Sequence, residues 1–443
     1  MNRAGWASCD ITPPLGLPMG GRGPRFAAGT EVLTPLQAGV VVLEDSRKNR
    51  VVLVSIDVIC TDARQTDQLC VEVGSAVGAS PDAVIINASH THSGPMLSYE
   101  RYSTLQPKPP ELEAYERELD KKIIRLAVEA AQKITPVRAI WRDGESNIGI
   151  NRRLMTPEGA IMMGPNPDGF YHRHLWTLDL EAIDDPAQRC VLFSHGCHPV
   201  IVYGHNWTAI SSEWPGRSRD ILKSELGEQT HFQFLQGLAG NIRPRILSDF
   251  ENKKFRQSTP DDVEATAQEL AGDVKDTLQQ TGELLDLQLG AAKGDFLAQR
   301  VEPPAREHWA ATENDEDELT RERSRYWLTR YGDDAIAPYV WQPWPLGIVR
   351  FAPGFSLVHM GGEPLCEWSE VFAQALPGQR LVSCGYTDTA AGYLPTDAQL
   401  SEGGYEVTGA APSSKIGPGT LQPGLDKAAI QSLRRLQAAI DVD

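Results

Sequence analysis

The feature that most constrains the fold is a pair of continuous apolar segments, VVLVSIDV (51–58) and AVIINAS (83–89). Short runs rich in β-branched residues are typical of strands that are buried on both faces. Between them, Asp62 is placed to cap a helix whose apolar residues recur at four-residue spacing. A strand, a helix and a second strand in this order predict a right-handed βαβ unit with parallel strands.

The rest of the chain continues to mix strands and helices. The clearest helix is residues 110–134, where apolar residues recur in steps of three and four and Pro136 follows. Further strands are expected at 137–142, 174–182, 190–195, 231–235, 347–351, 355–360 and 380–386, and further helices at 213–226, 261–280, 315–329, 366–376 and 426–440. This order predicts an α/β (α+β) fold of mixed β-sheets flanked by helices, and excludes a helical bundle and an all-β sandwich.

A strongly charged segment, 303–324, interrupts this pattern as an insertion or a surface helix near 303–330. Because candidate site residues lie on both sides of it, we expect a single domain over residues 1–443. The Trp and Tyr residues at 326–344 either line a cleft or fill a small separate core, and the second reading is slightly favoured.

Charge and composition exclude several classes of partner. Asp and Glu number 59 against 42 Lys and Arg, giving a net charge of −17, which argues against binding nucleic acid or anionic lipid. No apolar run approaches the roughly 18 residues of a membrane span, and the first residues lack the apolar core of a signal peptide. The seven cysteines form no CxxC pair. We therefore expect a reduced, cytoplasmic protein that acts on a small molecule, with its oligomeric state left open.

The first candidate for chemistry is HTHSGP (90–95), directly after the second strand of the βαβ unit. Parallel strands would place Asp57 and His90 at the same edge of the sheet, where α/β proteins usually build their sites. In extended geometry His90 and His92 would point to the same side, as two ligands of one metal or as a ligand beside an acid/base group. Taken alone, such a pair is more often two hydrogen-bonded polar residues at the end of a strand.

A second group of histidines strengthens the metal interpretation. His195 and His198 follow another apolar strand, and His205 lies seven residues further on. Zinc sites prefer imidazole and carboxylate ligands. Glu363, in HMGGEP (359–364), is the candidate carboxylate, although by itself it is more often a residue that favours the helix dipole.

Three other side chains are candidates with a plainer alternative. Arg152, in INRR (150–153), is either a surface arginine or a group that holds an anion or a carbonyl. Tyr393 and Tyr405 follow glycines in loops, where tyrosines are most often packing residues. No GxSxG, Walker or GxGxxG motif is present, which removes support for a serine hydrolase or a nucleotide-binding protein.

Together these segments resemble the catalytic domain of the neutral (non-lysosomal) ceramidases, zinc-dependent amidases that cut an N-acyl bond. The similarity extends over about residues 4–408, and NASHTHSGP is its most distinctive match. The matching segments, in family order, are 7–21 (ASCDITPPLGLPMGG), 87–95 (NASHTHSGP), 150–153 (INRR), 198–216 (HPVIVYGHNWTAISSEWPG), 361–364 (GGEP) and 392–406 (GYLPTDAQLSEGGYE).

The resemblance implies a role for each matching residue. The zinc ligands it implies are His90, His198, Glu363 and Tyr393. It also implies that His92 is an acid/base residue, and that Arg152 and Tyr405 steady the reacting carbonyl.

The chain departs from this family at two places. The family's GDVSPN segment corresponds to GNIRPR (240–245), so Arg243 takes the place of the active-site serine. Hydrolysis by metal-activated water does not need that serine, and Arg243 and Asn241 are predicted to bind substrate instead. The C-terminal immunoglobulin-like domain of the larger ceramidases has no counterpart after residue 408. Both departures predict a substrate other than ceramide.

The leading hypothesis is a zinc-dependent hydrolase of a linear amide. One alternative keeps the metal but cleaves another polar substrate, a glycoside or an ester selected by Arg243. Another is a catalytically silent metal-binding homologue, and the presence of His92, Arg152 and Tyr405 together counts against it.

Overall fold

The computed structural model describes residues 1–21, 25–97, 99, 107–301, 305–330, 341–389, 392–410 and 419–441. The strands are β1 (Arg3–Asp10), β2 (Pro18–Met19), β3 (Arg25–Ala28), β4 (Glu31–Val32), β5 (Gln37–Glu44), β6 (Arg50–Ile56), β7 (Val84–Ala88), β8 (Thr135–Glu145), β9 (Gly149–Met155), β10 (Ile161–Asn166), β11 (His174–Ala182), β12 (Arg189–His195), β13 (Ala209–Ile210), β14 (His231–Gln236), β15 (Ile242–Pro244), β16 (Ser248–Asp249), β17 (Lys254–Phe255), β18 (Glu283–Leu285), β19 (Gly290–Gln299), β20 (Trp341–Ala352), β21 (Phe355–Met360), β22 (Glu363–Pro364), β23 (Arg380–Cys384) and β24 (Tyr393–Leu394). The helices are α1 (Ala63–Val77), α2 (Pro110–Gln132), α3 (Ile201–His205), α4 (Glu213–Leu226), α5 (Pro260–Gln279), α6 (Arg306–Thr312), α7 (Glu318–Arg330), α8 (Trp368–Ala375), α9 (Asp397–Glu402) and α10 (Leu425–Asp441).

The predicted βαβ unit is confirmed. Strands β6 and β7 are parallel neighbours, with Val52 opposite Val84. Asp62 caps α1 by accepting a hydrogen bond from the backbone N–H of Arg64 at 3.0 Å. The mixed α/β class is confirmed as well, although strands β5, β9 and β10 were not predicted from the sequence. The two strands β1 and β19 were not predicted either. Both strands are rich in Ala and Gly and poor in β-branched residues, so their composition does not distinguish them from loops.

The two largest sheets carry the core. One runs in the order β14-β12-β11-β8-β1-β5-β6-β7, with β18 also paired to β8, and the other in the order β19-β20-β21-β23. Strand β6 shows why the two sheets stack, since its side chains are apolar on both faces of the strand. Its residue Val52 packs with helices α1 and α2, whereas Val51 and Leu53 pack with Val349 and Leu357 of the second sheet. Burying both faces removes the largest apolar area from water.

Helices complete the outer layers. Helices α4 and α5 join the other half of the large sheet in one core cluster, and that cluster also includes α8, α10 and the outer face of the second sheet. The protein is therefore layered as helices, sheet, sheet and helices. The sequence predicted sheets flanked by helices, but not that two sheets would pack against each other.

The large sheet folds back on itself, and this brings separate strand ends together. Strand β1 pairs along its whole length with β5, but with β8 only through Arg3 and Ala4. The two end strands of the sheet then approach each other. The buried amide of Asn87 donates to the carbonyls of Gln236 (3.2 Å) and Gly385 (2.8 Å), and its oxygen accepts from the Gln236 N–H at 2.7 Å. One side chain thus ties together the chain at the carboxyl ends of β7, β14 and β23.

The charged segment forms helices α6 and α7, while residues 302–304 and 331–340 lie outside the described part. Trp309, Tyr326 and Trp327 make a small separate cluster, which confirms the satellite-core reading for the described aromatic residues at the start of 326–344. Trp344 belongs instead to a main core. The single domain over residues 1–443 remains a prediction.

All seven cysteines are free thiols, and six of them are buried, as predicted. Burial raises the pKa of the Cys384 thiol to about 12, so it stays protonated. In the described part of the chain, none of the helices combines the length and the apolar character that crossing a lipid bilayer requires.

Asp57, which the sequence placed at the edge of the sheet near His90, is a buried structural residue. Its carboxylate pairs with both terminal nitrogens of Arg219, one of them at 3.1 Å, and also accepts the backbone N–H of Gln37 at 2.9 Å. Both side chains of the pair are nearly inaccessible to solvent: that of Arg219 is 9% exposed and that of Asp57 is 0% exposed. The pair joins α4 to the βαβ unit.

We expect Arg219→Met to lower the free energy of unfolding by about 3–5 kcal/mol, because it leaves the buried Asp57 charge without its partner. The matched control is Arg217→Met, two residues away on the same helix, whose ion pair with Glu264 is 38% and 41% exposed. An exposed pair of this kind contributes about 0–1 kcal/mol. Urea denaturation measures both variants, and equal losses would contradict the structural role of Asp57.

Candidate metal centre

His90 lies just beyond the end of β7, in a sharp change of chain direction. Its φ is 64°, in the left-handed region, which turns the chain out of the strand. The ring Nδ1 lies 2.7 Å from the carbonyl oxygen of Ile59. A carbonyl can only accept, so Nδ1 donates a proton to it and Nε2 is the nitrogen left to face a metal. His90 is 2% exposed.

His198 is held in the same way after strand β12. Its Nδ1 lies 2.7 Å from the carbonyl oxygen of Ala239 and 3.1 Å from that of Ile242. Nε2 is therefore again the nitrogen left to face a metal. Burial, and then the charge of Arg152, lower the pKa of His198 to about 4, so its imidazole is neutral near pH 7.

Glu363 brings a carboxylate to both imidazoles. Its Oε2 lies 3.3 Å from Nε2 of His90 and 3.3 Å from Nε2 of His198. Burial raises the pKa of this carboxyl, but the two histidines outweigh burial and hold the pKa well below its ordinary value. The carboxylate is thus ionised and lies between the Nε2 atoms of the two imidazoles.

Close backbone contacts fix the position of Glu363. The N–H of Gly240 donates to the carbonyl of Pro364 at 2.9 Å, and a Cβ on Gly240 would lie 2.5 Å from the carbonyl oxygen of Glu363. Only glycine permits this approach. Gly362, with φ of 74°, makes the turn that leads into β22.

His92 lies beside this group. Its Nε2 is 3.2 Å from Nε2 of His90, and its ring centroid lies 5.8 Å from that of His198 and 5.6 Å from that of Tyr203. Donor nitrogens of all three histidines lie within 4.8 Å of one another. The distances alone therefore admit His92 as a ligand or as an acid/base group.

The two predicted tyrosines join the same site. Tyr393 Oη lies 3.4 Å from Nε2 of His198, and Glu363 and Tyr393 are paired residues of the short strands β22 and β24. The ring centroid of Tyr405 lies 5.5 Å from that of Tyr393. Burial, and then the charge of Glu363, raise the pKa of Tyr393 well above its ordinary range, so this phenol keeps its proton.

Arg152 is buried behind the tyrosines and is not a surface residue. Its guanidinium carbon lies 5.2 Å from the ring centroid of Tyr393 and 5.4 Å from that of Tyr405. Its Nε donates to Glu406 at 2.8 Å, and one terminal nitrogen donates to the carbonyl of Gly240 at 2.7 Å. Glu406 also accepts from Arg153, so two arginines share this carboxylate.

Asn241 and Arg243 occupy different environments. The side-chain nitrogen of Asn241 donates to both oxygens of Glu367, at 3.0 and 2.9 Å, and its oxygen accepts from the N–H of Cys366 at 2.9 Å. These contacts tie Asn241 to the start of α8. Arg243 lies in β15 with its guanidinium carbon 4.8 Å above the ring centroid of Phe255. The substrate-binding role of both residues remains a prediction.

The other two histidines of the second group lie apart from this centre. His195 is buried; its Nδ1 donates to the carbonyl of His174 at 3.2 Å, and its Nε2 accepts a hydrogen bond from the Tyr171 hydroxyl. His205 contacts Ser258 Oγ at 3.3 Å. Both residues are therefore hydrogen-bonded histidines that lie outside the candidate metal centre.

Sequence reasoning missed two aromatic residues of the site. The ring of Tyr386 stacks on His90 at 4.2 Å between centroids, and Tyr203 contacts His92. Tyr386 has φ of 55°, and within the described chain its buried hydroxyl has no hydrogen-bond partner. Tyr386 belongs to no motif, and Tyr203 lies within the matching segment 198–216 but was not singled out there, so their positions in space identify them.

The donor set fits a divalent metal. Two imidazoles whose Nδ1 atoms are fixed by carbonyls, an ionised carboxylate and a phenol are nitrogen and oxygen donors of the type that zinc accepts. The carbonyls of Ile59, Ala239 and Ile242 fix the orientation of the imidazoles before any ion binds.

Two solved structures resemble the whole chain. The crystal structure of neutral ceramidase from Pseudomonas aeruginosa matches with a TM-score of 0.74 and 18% sequence identity, covering 100% of this chain and 74% of that one. A ceramidase complexed with C2 matches with a TM-score of 0.70 and 16% identity, covering 100% of this chain and 75% of that one. No family model and no curated protein matches the sequence. The chain therefore has a neutral ceramidase-like fold at low sequence identity.

Proposed function

We propose that this protein is a zinc-dependent hydrolase that cleaves the amide bond of an N-acyl compound. The observation that carries the proposal is that Glu363 Oε2 lies 3.3 Å from Nε2 of both His90 and His198. Three donors from distant parts of the sequence meet at one buried point. The similarity to solved ceramidase structures supports an amide as the substrate.

We assign His90, His198 and Glu363 as the metal ligands, with Tyr393 beside them as a fourth. When bound, zinc polarises a carbonyl and lowers the pKa of water toward neutrality. The carbonyls that accept from Nδ1 of each imidazole fix its tautomer and raise the basicity of Nε2. The ionised Glu363 adds the negative charge that favours a divalent cation.

His92 is the proposed acid/base residue. As a base, its imidazole takes a proton from the attacking water, and it then delivers that proton to the nitrogen of the departing amine as the C–N bond breaks. A positioned group of this kind contributes roughly 10²–10⁴-fold to the rate. The position of its Nε2 beside His90, at the rim of the buried cluster, supports this role.

Arg152 and Tyr405 steady the reacting carbonyl in different ways. The Tyr405 phenol is the proposed hydrogen-bond donor to the oxygen on which negative charge develops. Because Arg152 already donates to Glu406 and Gly240, it acts through its charge and through the tyrosine rings that it supports. It is therefore a positioning residue.

Zinc content and amide hydrolysis test the proposal together. We expect about one zinc per chain by elemental analysis of the purified protein, and release of octanoate from N-octanoylethanolamine. Removing the metal with a chelator should abolish this activity, and added zinc should restore it, because the bound metal supplies the charge that polarises the carbonyl. Protein without stoichiometric metal, or activity that survives metal removal, would contradict the mechanism.

A matched panel separates the amide from other bonds. The ester of octanoate with ethylene glycol and an octyl glycoside share the octyl chain but differ in the bond that is cleaved. Greater kcat/KM for the ester or the glycoside than for the amide would favour the alternative hydrolase. Metal binding without cleavage of any of the three would favour the silent homologue.

A further inference from the structure

Arg243 lies on the same β-ladder as the positioning residue Arg152. Strand β15 pairs with β9 so that Arg243 is opposite Ile150, and the backbone N–H of Arg152 donates to the Asn241 carbonyl at 2.9 Å. Residues two apart in a strand share a face, so Arg152 and Arg243 lie on one face of the ladder. The charged and titratable neighbours of Arg243 include Arg152, Tyr203 and Tyr393, all residues of the candidate metal centre.

Arg243 carries a positive charge that has no carboxylate partner among the described residues. One terminal nitrogen contacts Met163 Sδ at 3.6 Å, a weak acceptor, and the guanidinium lies over the ring of Phe255. Its Nε is buried and lacks a hydrogen-bond partner within the described chain. Burial, and then the charge of Arg152, lower the pKa of Arg243 to about 10, which still leaves it protonated near neutral pH.

The neighbouring arginines show the opposite arrangement. Arg152 and Arg153 each donate to Glu406 at 2.8 Å, and Arg153 also donates to Glu402 at 2.9 Å. Their charges are therefore compensated within the protein. Arg243 is the exception on this ladder, and a half-buried guanidinium without a counter-charge in the described part of the protein favours the binding of an anion.

We propose that Arg243 binds a carboxylate on the substrate, so that the preferred substrates are N-acyl amino acids whose amide carbonyl reaches the metal centre. This inference rests on the proposed function, since it names the substrate class of the same site. A single guanidinium offers two parallel N–H donors to a carboxylate and matches its single charge. A phosphate monoester carries about −1.5 to −2 charges and would leave negative charge uncompensated here.

Matched substrates measure the contribution of this arginine. We expect the wild-type protein to cleave N-octanoylglycine with a kcat/KM roughly tenfold to a hundredfold higher than N-octanoylglycinamide, its neutral analogue, with octanoate release as the readout for both. Arg243→Met keeps an unbranched, largely apolar side chain at this position but removes the charge and the paired donors. It should bring the ratio between the two substrates close to one. Arg243→Lys should give an intermediate ratio, because it restores the charge without the paired donors.

Arg245→Met is the matched control, two residues away. Arg245 is bound to Glu269 at 2.9 Å in an exposed ion pair, so this variant should keep the wild-type ratio. Equal cleavage of both substrates by the wild type would overturn the assignment of Arg243 while leaving amide hydrolysis intact. Cleavage of neither substrate would overturn the proposed function.

Direct binding keeps the assignment testable without catalysis. Calorimetric titration of metal-depleted protein with N-octanoylglycine should give a dissociation constant at least about tenfold lower than with the glycinamide, and Arg243→Met should remove this difference. Equal affinities in the wild type would contradict the carboxylate site. Far-ultraviolet circular dichroism and the melting temperature confirm that each variant is folded.

Discussion

Replacing His90 by Asn is expected to remove zinc from the protein and to lower kcat/KM for N-acyl substrates by at least about 10³-fold. Losing the ligand forfeits several kcal/mol of charge stabilisation, and each 1.4 kcal/mol corresponds to a factor of ten. Asparagine is chosen because it tolerates the left-handed φ of 64° at this position, whereas Ala would add backbone strain to the loss of the ligand. Elemental analysis and initial rates measure the two effects.

His205→Ala is the control for this prediction. His205 belongs to the same sequence group as His198, but its Nδ1 contacts only Ser258 Oγ in the described structure. It should therefore keep full zinc occupancy and near wild-type activity. If His90→Asn retains one zinc per chain while His205→Ala loses it, the assignment of the centre is wrong.

Replacing His92 by Ala is expected to leave zinc bound and to lower kcat by roughly 10²–10⁴-fold, the contribution of a positioned acid/base group. The experiment distinguishes the proposed acid/base role of His92 from the proposed ligand role of His90. All three histidines offer nitrogens within 4.8 Å of one another, so geometry does not separate a ligand from a proton carrier. The metal content of the variant separates these two roles, because the loss of a ligand releases the ion whereas the loss of a proton carrier does not.

The outcome decides between two centres. Zinc retained with slow turnover supports His90, His198 and Glu363 as ligands, with His92 beside them. Zinc lost from both His90→Asn and His92→Ala would instead define a three-histidine centre, and the proposed acid/base residue would be wrong. Unchanged kcat with zinc retained would exclude His92 from the reaction.

The βαβ unit was predictable because its information is local. Apolar residues in a short continuous run specify a strand that is buried on both faces, and Val51 and Val52 do pack into opposite clusters. Asp62 was identified as a helix cap by residue type alone, since a short carboxylate satisfies exposed backbone N–H groups. Such preferences do not depend on the rest of the chain.

The relation of His90 to His92 was predicted correctly but for an incomplete reason. Strand alternation was expected to point both rings to one side, yet β7 ends at Ala88 and the chain turns at His90. The Nε2 atoms lie 3.2 Å apart because of that turn. Asp57 does lie at the same edge of the sheet as His90, directly after β6, but its carboxylate pairs with Arg219, 162 positions away, and so has a structural role.

By itself, the sequence determined the βαβ unit, the mixed α/β class and the residue types able to bind a metal, because hydrophobic periodicity and donor chemistry are properties of neighbouring residues. Only the tertiary structure decided which of those donors meet. Asn87 ties three strand ends together, which brings the chain around His90, Gly240 and Glu363 to one place. The same folding surrounded Arg152 with Glu406 but left Arg243 without a carboxylate among the described residues. Contacts between such distant positions follow from how sheets and loops pack in three dimensions, which no local pattern encodes.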